Sequence, residues 1–185
     1  LMRLNKIFKN TLLVISAGII LTACATKKEV AVEAPKKEET KKEETKEEVT
    51  KIEKIASQMQ GDVYVGTDSV KYLADGVADR VFFATNESIL TTASRETLRA
   101  QAAWLRENSN ITVVLEGHAD ERGTREYNLA LGERRANAAK DYLMTYGVSS
   151  DRITVISYGK ERPVDSGSNP LAWSKNRRSV TVKAN

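Results

Sequence analysis

Apolar and polar positions divide this 185-residue chain into three stretches of different texture. Thr11 to Leu21 is an apolar run led in by Arg3, Lys6 and Lys9, with Met2 the expected initiator. It is too short for a permanent bilayer span, and its positive flank marks a cleavable signal peptide over residues 1–23. From Lys27 to Lys54 the chain is nearly all Lys, Glu, Thr and Ala. Here Lys36-Lys37-Glu38-Glu39-Thr40 returns as Lys41-Lys42-Glu43-Glu44-Thr45, then in degraded form as Lys46-Glu47-Glu48-Val49-Thr50. A five-residue period presents no continuous apolar face, so residues 24–56 are expected to be a flexible spacer, with at most transient helix where Glu and Lys stand three or four apart. As a coil it would average about 30 Å and reach about 100 Å fully drawn out.

The third stretch, residues 57–185, has the usual size of one domain with one core and alternates strand and helix periods. Val81, Phe82 and Phe83 predict a short buried strand. Leu98, Ala102 and Leu105 then recur at helical spacing until Asn108-Ser109-Asn110 stops the helix. Ile111 to Leu115 is largely β-branched and predicts an inner strand ending at Gly117. A long helix is expected from about Thr124 to Tyr146, closed by Gly147. Ile153 to Tyr158 predicts the next strand, Pro170 to Lys175 a short helix and Ser179 to Val182 the last strand. The order predicts an α+β domain, a mixed β-sheet with helices packed on it, whose strand order stays open.

The leader ends in Leu21-Thr22-Ala23-Cys24, which looks like a lipobox. Small residues fit a peptidase cleft, and the cysteine thiol accepts the diacylglycerol. Cys24 is the only cysteine, so no intrachain disulfide is possible. Each buried CH₂ is worth about 0.8 kcal/mol and a single acyl chain holds only reversibly; resemblance to lipoprotein leaders implies three chains and a durable anchor. Ala25 stands where Asp tends to retain a lipoprotein in the inner membrane, so the expected destination is the outer membrane, with the domain facing the periplasm. The formal charge of +4 first points to a polyanionic partner. That changes once Arg3, Lys6 and Lys9 leave with the signal peptide, because about +1 then remains, too little to argue for nucleic acid.

Candidate chemistry concentrates in Glu116-Gly117-His118-Ala119-Asp120-Glu121-Arg122-Gly123-Thr124 and the helix after it. At strand spacing Glu116, His118 and Asp120 would point to one side, an arrangement a metal might use. Against that, His118 is the only histidine, and structural zinc sites draw on several His or Cys. No serine sits in a Gly-x-Ser-x-Gly turn, so a hydrolase triad is not supported either. On the long helix Asn128, Leu131 and Arg135 fall three and four apart and share one face, with Asp120 in the loop feeding it. From the residues alone, this is either a polar binding stripe or an Asp-Arg ion pair beside a solvated helix.

The run Gly117 to Thr124, followed by Glu126-Tyr127-Asn128, Leu131-Gly132-Glu133-Arg134-Arg135-Ala136, Ser157-Tyr158-Gly159-Lys160 and Asn176-Arg177-Arg178, resembles the OmpA-like peptidoglycan-binding domain family in collinear order over about Val81 to Val182. The resemblance implies a non-enzymatic domain without cofactor or metal, binding the free end of meso-diaminopimelate in the peptidoglycan stem. Its ligand pair would be Asp120 and Arg135, with Asn128 and Leu131 shaping the site and Arg178 assisting. Relatives often carry Phe-Asp-x-Asp after the first strand where this chain has Ala84-Thr85-Asn86-Glu87, leaving Asn86 as a contact. For a lipid-anchored member the resemblance further implies TolB and other Tol-Pal components as partners and a role in division. The competing readings are a metal-dependent wall hydrolase using His118, and a structural lipoprotein that binds only proteins.

Overall fold

The expected spacer is helical over residues 37–56. The computed structural model describes residues 37–184, and α1 runs Lys37–Ser57. The expected signal peptide, Cys24 and the spacer up to residue 36 lie outside the described residues. Lys and Glu are good helix formers, no Gly or Pro interrupts the stretch, and Glu47 stands four residues before Lys51 in the favourable direction. From residue 47 on, α1 is exposed apart from Ile55, which is half-buried. A helix of this length is a rod of about 30 Å. Among the described residues no helix is long and apolar enough to cross a membrane.

Two small antiparallel hairpins come next, and neither was predicted: β1 (Met59–Gln60) with β2 (Val63–Tyr64), and β3 (Tyr72–Ala74) with β4 (Val77–Ala78). Strands of two or three residues carry no readable alternation. Only the turn residues Gly61, at φ +63°, and Asp75-Gly76, with Gly76 at φ +73°, mark them.

The rest follows the expected order: β5 (Arg80–Phe82), α2 (Thr92–Glu107), β6 (Val113–His118), α3 (Arg125–Thr145), a single 3-10 turn at Ser150–Arg152, β7 (Ile153–Gly159), α4 (Pro170–Asn176) and β8 (Arg178–Lys183). Helix starts are set by side-chain caps. Thr91 accepts from the Ser94 amide, Thr124 from Tyr127 and Asn169 from Ala172. The central sheet is mixed, in the order β5-β8-β6-β7; β8 is antiparallel to both β5 and β6, and β6 is parallel to β7.

Register assigns each face of this sheet. Val81, Leu115 and Val113 point to the helices, where they join Phe83, Leu98, Leu105, Ala139 and Leu143 in the core. Arg80, Glu116, Arg178 and Val180 alternate to the other face, which no long helix covers. Helix α3 lies close on β6 because both surfaces are bare at the crossing. A Cβ on Gly117 would run into the Gly132 carbonyl, and one on Gly132 into Ser157 Oγ. This contact fixes the depth of α3 and so the position of Arg135, one turn further along.

Candidate binding site

Strand β6 ends at His118, and Asp120 follows in the loop that leads to α3. Its side chain is largely buried yet satisfied on both oxygens. Oδ1 accepts from the Arg122 amide and Nε, each at 3.1 Å, and Oδ2 accepts from Arg122 Nη2 at 2.7 Å and Arg177 Nη1 at 3.3 Å. Burial alone would raise the Asp120 pKa. The hydrogen bonds from Arg122, its charge and the bond from Arg177 outweigh burial and hold the carboxyl below its ordinary value. Arg122 is the exposed member, with 42% of its side chain open to solvent. Its guanidinium lies over the Trp173 ring, 4.3 Å from the centroid, while Trp173 Nε1 donates to Glu121.

Arg135 sits deeper and is fully buried. Nε donates to the Glu87 carbonyl at 2.8 Å, Nη1 to that of His118 at 2.8 Å and Nη2 to that of Ala84 at 3.0 Å, and the group stacks on Phe83. Burial, aided by the neighbouring Arg177 charge, lowers its pKa to about 10. One side chain thus gathers the loops after β5 and β6 around a positive centre. Asn128 and Leu131 are buried on the same helix face, and Asn128 Nδ2 donates to the Arg122 carbonyl at 2.8 Å, closing the Asp120 loop onto α3. Asn86 is exposed in the loop clamped by Arg135 and takes the left-handed conformation, at φ +59°.

Arg178 does not join this group. It opens β8 and points to the uncovered face, donating to the carbonyls of Arg162 and Asn176. Its neighbour Arg177, buried on the Asp120 side, takes the place expected of Arg178: Nε donates to the Phe83 carbonyl at 3.1 Å, Nη1 to Asp120 and Nη2 to the Asp62 carbonyl. Consecutive residues at a strand start face opposite ways, and an Arg-Arg doublet does not say which one faces the site. Asp62 was also missed. It sits in the β1–β2 turn, and Oδ2 accepts from the Thr85 amide at 2.6 Å. Burial acts to raise its pKa, but the Thr85 bonds and Arg177 lower it overall. A carboxylate from a distant hairpin thereby reaches the Ala84–Glu87 loop, which lacks the expected aspartates.

Glu116, His118 and Asp120 do not converge as strand alternation would place them. A register shift falls between Gly117 and His118, and the strand ends before Asp120. Glu116 Oε2 lies 3.7 Å from His118 Nε2, beyond hydrogen-bond range, while Asp120 turns to the arginines. Among the described residues no three His, Cys, Asp or Glu side chains come together as a metal site.

The OmpA family model matches residues 82–177, just over half of the chain. The chain belongs to the OmpA family. Its sequence is 54% identical over 106 residues to a peptidoglycan-associated lipoprotein of Mesorhizobium japonicum, covering 57% of this chain and 63% of that protein. It is 52% identical over 106 residues to the protein of that name from Agrobacterium fabrum, covering 57% and 60%. The chain therefore spans about three-fifths of the length of these curated relatives. The crystal structure of the peptidoglycan-associated lipoprotein from Burkholderia pseudomallei superimposes with a TM-score of 0.56 at 34% identity, covering 57% of this chain and 90% of that one. The expected α+β fold and family resemblance are thus borne out.

Proposed function

We propose that this chain is an outer-membrane lipoprotein, anchored through Cys24, whose OmpA-family domain holds the peptidoglycan stem peptide without covalent chemistry. The observation that supports this most directly is an ionised, largely buried carboxylate, Asp120, set among the guanidinium groups of Arg135 and Arg177. The side chain of meso-diaminopimelate ends in an ammonium and a carboxylate on one carbon. Asp120 receives the ammonium as the exposed Arg122 gives way, remaining over Trp173. Each Nη of Arg135 carries two hydrogens, and one of each already bonds a carbonyl; the ligand carboxylate takes the others as the loops over this fully buried side chain part to admit it. Asn128 and Leu131 keep the loop and helix in register, and Asn86 borders the pocket. Relatives named peptidoglycan-associated lipoproteins support the ligand class.

In this reading α1 holds the domain away from the lipid, and the protein bridges outer membrane and wall. TolB and the other Tol-Pal components are the protein partners; TolB competes for the same surface, and the system draws the outer membrane inward at division. Sedimentation with purified peptidoglycan tests the core of the proposal. Asp120→Asn and Arg135→Lys should each weaken binding by about 2–5 kcal/mol, while circular dichroism checks that the fold persists. If both variants sediment like the parent, the assigned site is wrong; release of stem peptides by the parent would favour the hydrolase reading instead.

A further inference from the structure

The sheet face that carries no long helix holds a second concave site. A trough of about 590 Å³ lies between the β3 edge at Lys71–Leu73 and the loop at Arg162–Val164, with Arg80, Glu116, Arg178 and Val180 along its floor. Its charges do not cancel. Asp79 is committed to Arg80 in a two-point ion pair at 2.7 and 2.8 Å. Lys71, Arg162 and Arg178 form no ion pair among the described residues, and Glu116 is the one other carboxylate of the lining.

Arg178 is the central group. It is 6% exposed, bonds only carbonyl oxygens and leaves its Nε without an acceptor. Glu116 and Asp79 lie near enough to act on this buried guanidinium but do not bond it, and a carboxylate entering the trough to bond it directly would relieve the cost of its burial. Apolar side chains flank the mouth: Tyr72 is 66% exposed, Val164 42% and Val182 39%. They would gain nothing from a small inorganic ion, and they match the alternating side chains of an extended peptide. Glu116 in the floor repels a dense polyanion and tolerates a spaced acid.

We propose that this trough binds an extended acidic peptide segment of a partner protein, with an Asp or Glu side chain reaching Arg178 and its apolar neighbours resting on Tyr72, Val164 and Val182. The site is independent of the Asp120 pocket, because Arg177 and Arg178 face opposite sides of the sheet.

The test uses the full chain in detergent and a fluorescein-labelled peptide of alternating Val and Glu, followed by anisotropy and by amide shifts in nuclear magnetic resonance. Binding should weaken at least ten-fold when Gln replaces Glu in the peptide, and as much in Arg162→Ala, whose sedimentation with peptidoglycan should not change. Arg178→Met should abolish binding; if it fails to fold, Arg162→Ala and shifts at Val180 and Val182 still decide. Equal binding of the Gln peptide, shifts confined to the Asp120 loop, or displacement by equimolar inorganic phosphate would each overturn the proposal.

Discussion

Two residues apart, Asp120 and His118 stand in opposite electrostatic conditions. Asp120 is surrounded by donors, and its charge is held in place by Arg122 and Arg177. His118 is buried at the end of β6, where among the described residues neither ring nitrogen has a hydrogen bond of ordinary geometry, packed beside Tyr158 and near the Arg162 backbone and the charges of Arg80, Arg162 and Arg178. Burial and those three arginines lower its pKa to about 3. The same contrast separates Arg177, which bonds a carboxylate, from Arg178, which among the described residues bonds only carbonyls. A buried charge with its counter-charge is a built structural unit; one without is a vacancy for a ligand or a standing cost.

The largest expected effect abolishes the contrast by disturbing both faces. Gly132→Val forces α3 off β6 at Ser157 and Gly117. It should cost about 3 kcal/mol or more, read as a fall of about 10 °C in thermal melting. A sharper test swaps the paired and unpaired arginines. Arg177→Met removes the buried guanidinium that ties Asp120 to the carbonyls of Phe83 and Asp62, leaves Asp120 only its Arg122 partner, and should cost about 3 kcal/mol in urea unfolding, whereas Arg178→Met removes a cation without a bonded carboxylate and should cost about 1 kcal/mol or less. Equal costs would show that the uncovered face is as fully compensated as the other.

The pH dependence isolates His118. Its folded pKa lies below its unfolded value, so the unfolded state takes up the proton first; stability is retained above pH 6.5 and lost as pH falls from there toward about 3. Between pH 7 and pH 5 the parent should lose about 2 kcal/mol that His118→Phe does not lose, measured by urea titrations at both values. Asp62 and Asp120 act in the same direction, but only below the ordinary carboxylate range, so the two windows separate. The smallest effect lies outside both faces. The exposed Arg125–Glu161 pair, at 3.2 Å, should yield less than about 0.5 kcal/mol to Glu161→Gln.

Much of the main sheet and its helices was legible because long periodic runs carry their own signal. The 3.6-residue recurrence through Leu98, Ala102 and Leu105, and the stops at Asn108 and Gly147, agree with the helices within a residue or two. The hairpins at Met59–Tyr64 and Tyr72–Ala78 were not legible, since their strands are too short for alternation. The Lys/Glu repeat lacks an apolar face and reads as coil, yet α1 forms there, exposed from residue 47 on apart from Ile55. At the site, motif spacing led to Asp120, Asn128, Leu131 and Arg135. It pointed to Arg178 where the structure uses Arg177, and it offered no route to Asp62.

The chain's own order of residues determined the α+β class, the family and the loop-to-helix run from Gly117 to Arg135, because these depend on local periodicity, caps and spacing within a continuous segment. Tertiary structure decided which of two adjacent arginines meets Asp120, that a hairpin turn 23 residues upstream supplies Asp62 to Thr85, and that the uncovered face keeps Arg178 with no bonded carboxylate among the described residues. Those facts depend on strand register and on which loops pack together, and both are set only when distant segments close on a common core.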